Sequence, residues 1–156
     1  MDERVKTVLL GHHSVTEATF KCLIRHNECP MRSGVNFKTF GSCLCLWQTS
    51  CYDNVLLRCM FRDARVALLV YDQRDRRTHT ELLSMWTPLL LKAKCRAHVF
   101  IVCNMVSSEQ RWFEAARNDS ETAQMAHRVG AVAHLCMTNF NLRRWLTLIE
   151  RFISLA

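Results

Sequence analysis

Two spacings of apolar residues alternate along this 156-residue chain, and each change of spacing predicts an element boundary. Val5–Leu10 (VKTVLL) is a short β-type run closed by Gly11. Residues 16–25 carry apolar side chains at Ala18, Phe20, Leu23 and Ile24, a helical spacing. Cys29 and Pro30 open a loop. Val35–Phe40 alternates Val35, Phe37 and Thr39 against Asn36, Lys38 and Phe40, as a half-buried strand does. Gly41 and Ser42 form a two-residue turn signal, and residues 43–47 return as the second strand of a hairpin. Residues 54–62 read as a helix. Val66–Tyr71 (VALLVY) and residues 98–103 (HVFIVC) are continuous apolar runs, the signature of strands covered on both faces of a parallel sheet. Residues 78–94 are amphipathic, with an interruption at Pro88. Residues 111–129 read as helix, in two pieces around Asn118 and Asp119. Gly130 stands just past the end of that helix, where a positive φ costs glycine little. Residues 131–137 form a weak strand, and 141–155 a closing helix with apolar residues from Leu142 to Ile153.

Strands alternating with helices predict an α/β fold with right-handed crossovers. The expected sheet has about six strands, mostly parallel, with one antiparallel edge strand from the hairpin and helices on both faces. Residues 1–156 make one domain of ordinary size. Ligands of such sheets bind beyond the carboxyl ends of the strands. The loops to inspect therefore follow residues 10, 47, 71, 103 and 137.

Composition narrows the class. Glycine and proline are scarce, at 4 and 2 residues, so a linker-like or collagenous chain is excluded. No apolar run approaches the ~20 residues of a membrane span. The residues after Met1 lack a signal-peptide layout, so an intracellular, cytoplasmic protein is expected. Nine cysteines occur without a C-x-x-C pair, and an odd count in a reducing compartment predicts free thiols. The net charge of +7 favours acidic partners. Nucleic acid is not the expected one, because the aromatics fall inside strands and helices instead of interleaving with Lys and Arg on one surface.

A set of short segments in order then resembles a known family. Gly11-His12-His13-Ser14-Val15-Thr16-Glu17-Ala18 follows the first strand where a phosphate loop would stand. Gly34-Val35-Asn36-Phe37-Lys38-Thr39 resembles G-V-D-F-K-T, and Leu46-Trp47-Gln48-Thr49-Ser50-Cys51 resembles I-W-D-T-A-G. Phe61-Arg62-Asp63-Ala64 and Leu69-Val70-Tyr71-Asp72 are similar to Y-R-G-A and L-V-Y-D. Val102 to Ser107 occupies the place of G-N-K-x-D. Over essentially its whole length, the chain resembles the Ras superfamily of small GTPases, the Rab branch in particular.

The resemblance implies a small-GTPase-like, three-layer G domain whose nucleotide chemistry is missing. Glu17 stands where the family has the phosphate-binding Lys, and Ala18 where it has the Mg²⁺-binding Ser or Thr. Thr16 replaces the second phosphate-loop Gly, and Arg32 aligns with the metal-completing Thr of switch I. Gln48 and Cys51 replace the Asp and Gly of D-x-x-G, and Tyr52 the water-orienting Gln. Met105 and Ser107 replace the base-contacting Lys and Asp. Only Gly11 and Asn104 remain of the signature. The chain also ends without the tail and terminal Cys used for prenylation, so no direct lipid anchor is expected.

The expectation is a pseudo-GTPase without catalytic residues, bound metal, GTP, GDP or Mg²⁺. It would bind another protein through the switch-equivalent surface, within a trafficking or other multi-subunit assembly, with Arg32, Phe37, Tyr52, Met60 and Phe61 as candidate contacts. The alternative is an atypical small GTPase that keeps a nucleotide, with His12, His13 and Arg32 offsetting Glu17.

Overall fold

The computed structural model describes residues 5–24, 31–32, 35–40, 44–49, 52–104 and 120–137. In chain order these form β1 (Val5–Leu10), α1 (His13–Ile24), β2 (Met31–Arg32), β3 (Val35–Phe40), β4 (Leu44–Thr49), α2 (Asn54–Phe61), β5 (Val66–Tyr71), α3 (Arg76–Glu81), a π-helical turn (Leu82–Trp86), α4 (Thr87–Lys92), β6 (His98–Asn104), α5 (Ser120–Val129) and β7 (Ala133–Met137).

The continuous apolar runs lie at the middle of one sheet, ordered β2-β3-β4-β1-β5-β6-β7. Strands β4, β1, β5, β6 and β7 are all parallel. Strand β5 alternates between two cores. Val66, Leu68 and Val70 face one side, with Leu9, Phe100 and Val102, beneath Val15 and Phe20 of α1. Ala67, Leu69 and Tyr71 face the other, with Ile101 and Cys103, beneath Leu57 and Met60 of α2, Trp86, Leu90 and Met125 of α5. A strand buried on both faces has no polar side to display, which is why its sequence reads as one unbroken apolar run.

The coarse α/β reading holds, with three corrections to its detail. The described residues make seven strands, because Met31–Arg32 adds a two-residue strand beyond β3. The antiparallel strand is β3, and it is not at the edge: it lies between β2 and β4, antiparallel to both. In the hairpin, Phe40 pairs with Leu44, so positions 41–43 separate the strands where a two-residue turn was expected.

Pro88 does not interrupt its helix. The chain stays helical from Arg76 to Lys92, but the turn before Pro88 widens to π geometry, with the Thr87 N–H donating to the Leu82 carbonyl. Pro88 has no N–H to give and its ring crowds the preceding turn, so a wider turn relieves both defects. The expected helix at 111–119 and the closing helix at 141–155 lie outside the described residues. Among the described residues, no helix is long and apolar enough to cross a membrane.

Candidate functional site

The carboxyl end of β1 is the centre of the sheet and the place of the expected phosphate loop. Gly11 has φ +149°, and a Cβ there would sit 2.4 Å from the Val70 carbonyl oxygen, so only glycine passes this close to β5. The chain then enters α1 at once. A helix begins with amides that have no partner inside it, and such amides are what a bound anion uses. Here each one is taken. The His13 N–H donates to the Tyr52 hydroxyl at 2.8 Å, and the Ser14 N–H to His12 Nδ1 at 3.2 Å. The Val15 and Thr16 N–H groups donate to the His12 carbonyl at 3.0 and 3.1 Å. His12 therefore caps the helix with both its ring and its backbone, and its ring stacks on His13 with 4.4 Å between centroids.

Side chains from the neighbouring strands close over the same point. Gln48, fully buried at the end of β4, donates from Nε2 to Thr16 Oγ1 at 3.2 Å. Asn104, at the end of β6, donates from Nδ2 to Thr19 Oγ1 at 2.7 Å. The Tyr52 proton lies between the Gly11 carbonyl at 3.3 Å and Glu81 Oε2 at 3.4 Å, and the same Glu81 oxygen accepts from Trp86 Nε1 at 3.3 Å. The Tyr52 and Trp86 rings meet edge to face at 5.4 Å. Burial, helped by the Glu81 carboxylate, pushes the Tyr52 hydroxyl up to about 12 from its ordinary 10. It stays protonated and works as a neutral hydrogen-bonding clasp.

The expected site residues thus divide. Gly11, His12, His13, Thr16, Gln48 and Tyr52 do converge beyond β1 and β4, and Asn104 braces them through α1. Glu17 and Ala18 do not join them. Helix α1 starts at His13, three positions before the expected start, and this phase turns both residues outward. Glu17 pairs with Lys21 at 2.9 Å one turn on, and Ala18 is exposed. Met60, on the inner face of α2, is fully buried, so it belongs to the core and not to a binding surface. Phe61 is half-buried at the end of α2. Arg32 pairs through its backbone with Val35, and Phe37 with Trp47, while their side chains lie outside the described residues. Cys51, Met105 and Ser107 lie outside them altogether.

Sequence reasoning missed Thr19, Glu81 and Trp86, each an ordinary helical residue until the fold brings it to Asn104 or Tyr52. It also missed a polar group beyond β5. There the Tyr71 hydroxyl lies 2.8 Å from His134 Nε2, and His79 Nε2 lies 2.8 Å from Thr122 Oγ1. The cleft beside them, edged by Asp72, Arg76 and Glu121, holds ≈ 30 Å³, which suits a water molecule and not a nucleoside. The nearby Cys103 is fully buried, and its hydrogen bond with Cys136 and its burial push the thiol up, away from the reactive thiolate. Among the described residues, no group of three or more His, Cys, Asp or Glu side chains is placed to hold a metal ion. Set beside known proteins, the chain matches no family model and no curated protein sequence.

Proposed function

We propose that this chain is a Rab-like pseudo-GTPase, a G-domain fold without nucleotide turnover that serves as a protein-binding module. The observation that carries the reading is the consumption of four successive amides, from His13 to Thr16, by His12 and Tyr52. A phosphate at that point would have to displace the Tyr52 hydroxyl and unwind the first turn of α1. The residues present also do not fit Mg²⁺ with a guanine nucleotide. Gln48 brings an amide, bonded to Thr16, to the position of a metal-side carboxylate. A sheet of five parallel strands, extended on one side by the antiparallel β3 and the two-residue β2 and covered by helices on both faces, supports the layered arrangement that the resemblance implies. In the family the switch segments are ordered by γ-phosphate and Mg²⁺. In this chain Tyr52 takes over part of that task, tying the entrance of α2 to α1 and to Glu81. The first turn of α2 then presents Val55, 66% exposed, as an apolar contact for a partner.

Nucleotide content tests the reading. The supernatant of denatured, purified protein is expected to contain no GDP or GTP on ion-exchange chromatography. Calorimetry with GTP and Mg²⁺ is expected to show no heat of binding at micromolar protein. Stoichiometric guanine nucleotide in either experiment would return the chain to the atypical GTPases.

A further inference from the structure

The end of the sheet opposite to the Tyr52 clasp carries a feature that this function does not use. Helices α2 and α4 both finish there, each followed by a residue in the left-handed region, Asp63 at φ 57° and Lys94 at φ 50°. Between those two turns lies a cleft of ≈ 570 Å³, edged by Phe61, Asp63, Arg65, Lys94, Arg96 and His98. Its base is built into the sheet: the Arg65 N–H donates to the Lys6 carbonyl at 2.9 Å, and the His98 N–H to the Arg65 carbonyl at 2.8 Å. Through Phe61 and Ala93 the cleft continues into a second hollow of ≈ 330 Å³ between α2 and α4, with Leu57 and Leu89 inside and Arg58 and Lys92 at its rim.

Cations at helix carboxyl ends have a structural explanation, since they offset the partial negative charge there. At α2 that task is already done. The Lys6 ammonium donates to the Cys59 carbonyl and, at 2.8 Å, to that of Arg62, and rests 4.1 Å from the centre of the Trp47 ring. Arg65, Lys94 and Arg96 lie past the helices altogether. Elsewhere Lys21, Arg74 and Arg77 each hold a carboxylate at 2.9 Å. Arg58, Arg65, Lys92, Lys94 and Arg96 hold none among the described residues. The single acid of the cleft, Asp63, leans toward Arg62 at 4.0 Å. Both helix ends thus meet in a surplus of unpaired positive charge beside an apolar hollow.

We propose that this cleft and hollow bind an acidic segment of a partner protein. The segment would set its carboxylates against Arg65, Lys94 and Arg96 and one apolar side chain between α2 and α4. Shape and chemistry select this occupant. A membrane is flat and would meet the rim of a concave cleft without reaching its base. A nucleic-acid strand needs a series of aromatic faces for stacking, and among the described residues the cleft and hollow offer only the Phe61 ring and the His98 imidazole. Carboxylates with an adjoining apolar residue use both halves of the furrow.

The test is selection of 12-residue peptides from a random display library on the immobilised full chain. The selected peptides are expected to be rich in Asp and Glu around one or two apolar residues, and to bind less tightly as salt rises. The triple variant R65E/K94E/R96E changes exposed side chains only, and its thermal melt checks its fold. Affinity for the selected peptides should fall more than tenfold in this variant, and stay within twofold in R76E/R128E, whose charges lie elsewhere. Peptides without acidic enrichment, equal binding by the folded triple variant, or no selected binder would overturn the proposal. So would displacement of the peptides by an oligonucleotide or by phosphatidylserine vesicles at matched charge. Nucleotide retention at the other end of the sheet would leave each of these outcomes unchanged.

Discussion

Tyr52 shows how much one hydroxyl does at the carboxyl end of the sheet. It accepts from the His13 amide, shares its own proton between Gly11 and Glu81, and turns its ring edge toward Trp86. In Tyr52→Phe the His13 N–H loses its acceptor, an expected cost of about 1 kcal/mol at neutral pH. The pH dependence follows from the raised pKa. The folded chain keeps this proton up to about 12, whereas the unfolded chain releases it near 10. Between those values the unfolded state loses a proton that the folded state retains, so the contribution is complete below pH 10 and fades as pH rises toward 12. Urea titrations of both proteins from pH 8 upward are expected to give a constant difference in stability at first, which then shrinks. A difference that is flat through pH 11 would mean that the hydroxyl is not held as described.

At the scale of elements, α2 stands on its cap. The Asp53 carboxylate accepts from the amides of Val55 at 2.8 Å and Leu56 at 3.3 Å, the donors that an eight-residue helix can least leave unsatisfied. Asp53→Ala is expected to cost about 1 kcal/mol in thermal denaturation, and to raise amide exchange in α2 above that in α5. The elements themselves were largely legible. Strands β5 and β6 announce themselves because the unbroken apolar runs Val66–Tyr71 and 99–103 suit a doubly covered strand. The hairpin was visible in the alternation from Val35 to Phe40. What stayed hidden depends on pairs far apart in sequence: Gln48 with Thr16, Asn104 with Thr19, Tyr52 with Glu81. Thr16, Gln48, Tyr52 and Asn104 stood out by position, but Thr19 and Glu81 are ordinary helical residues, and no periodicity marks which residue meets which. The early start of α1 was hidden for a related reason. Histidine is a weak helix signal, and here His12 caps the first turn through its ring nitrogen and its carbonyl. Pro88 misled in the opposite direction, since a π turn absorbs a residue that would otherwise break the helix.

For the molecule as a whole, the thiols report which parts open. Cys45, Cys59, Cys95, Cys103 and Cys136 all carry thiols and not disulfides. Cys59 is exposed, while Cys103 is fully buried and its thiol is pushed up by Cys136 and by burial. Iodoacetamide under native conditions is therefore expected to label Cys59 well before Cys103, with Cys103 reacting only as fast as the sheet opens. In denaturant without reductant, mass spectrometry should find all nine cysteines modified. Early labelling of Cys103 in a folded sample would show that β6 and β7 separate locally.

The position of β1 has a consequence in time. Val8 pairs with Trp47 on one side and with Ala67 on the other. The strand at the centre of the sheet is thus the earliest of the described strands, and its pairings with β4 and β5 wait for segments much further along. Long loops must close before burial returns anything for them, so the nucleus cannot be local. Refolding from urea should take milliseconds to seconds, as expected of a sheet joined by distant pairings. On a ribosome, Val5–Leu10, apolar but for Lys6 and Thr7, would wait unpaired until β4 and β5 emerge, and in that interval it is open to chaperones and to misassociation.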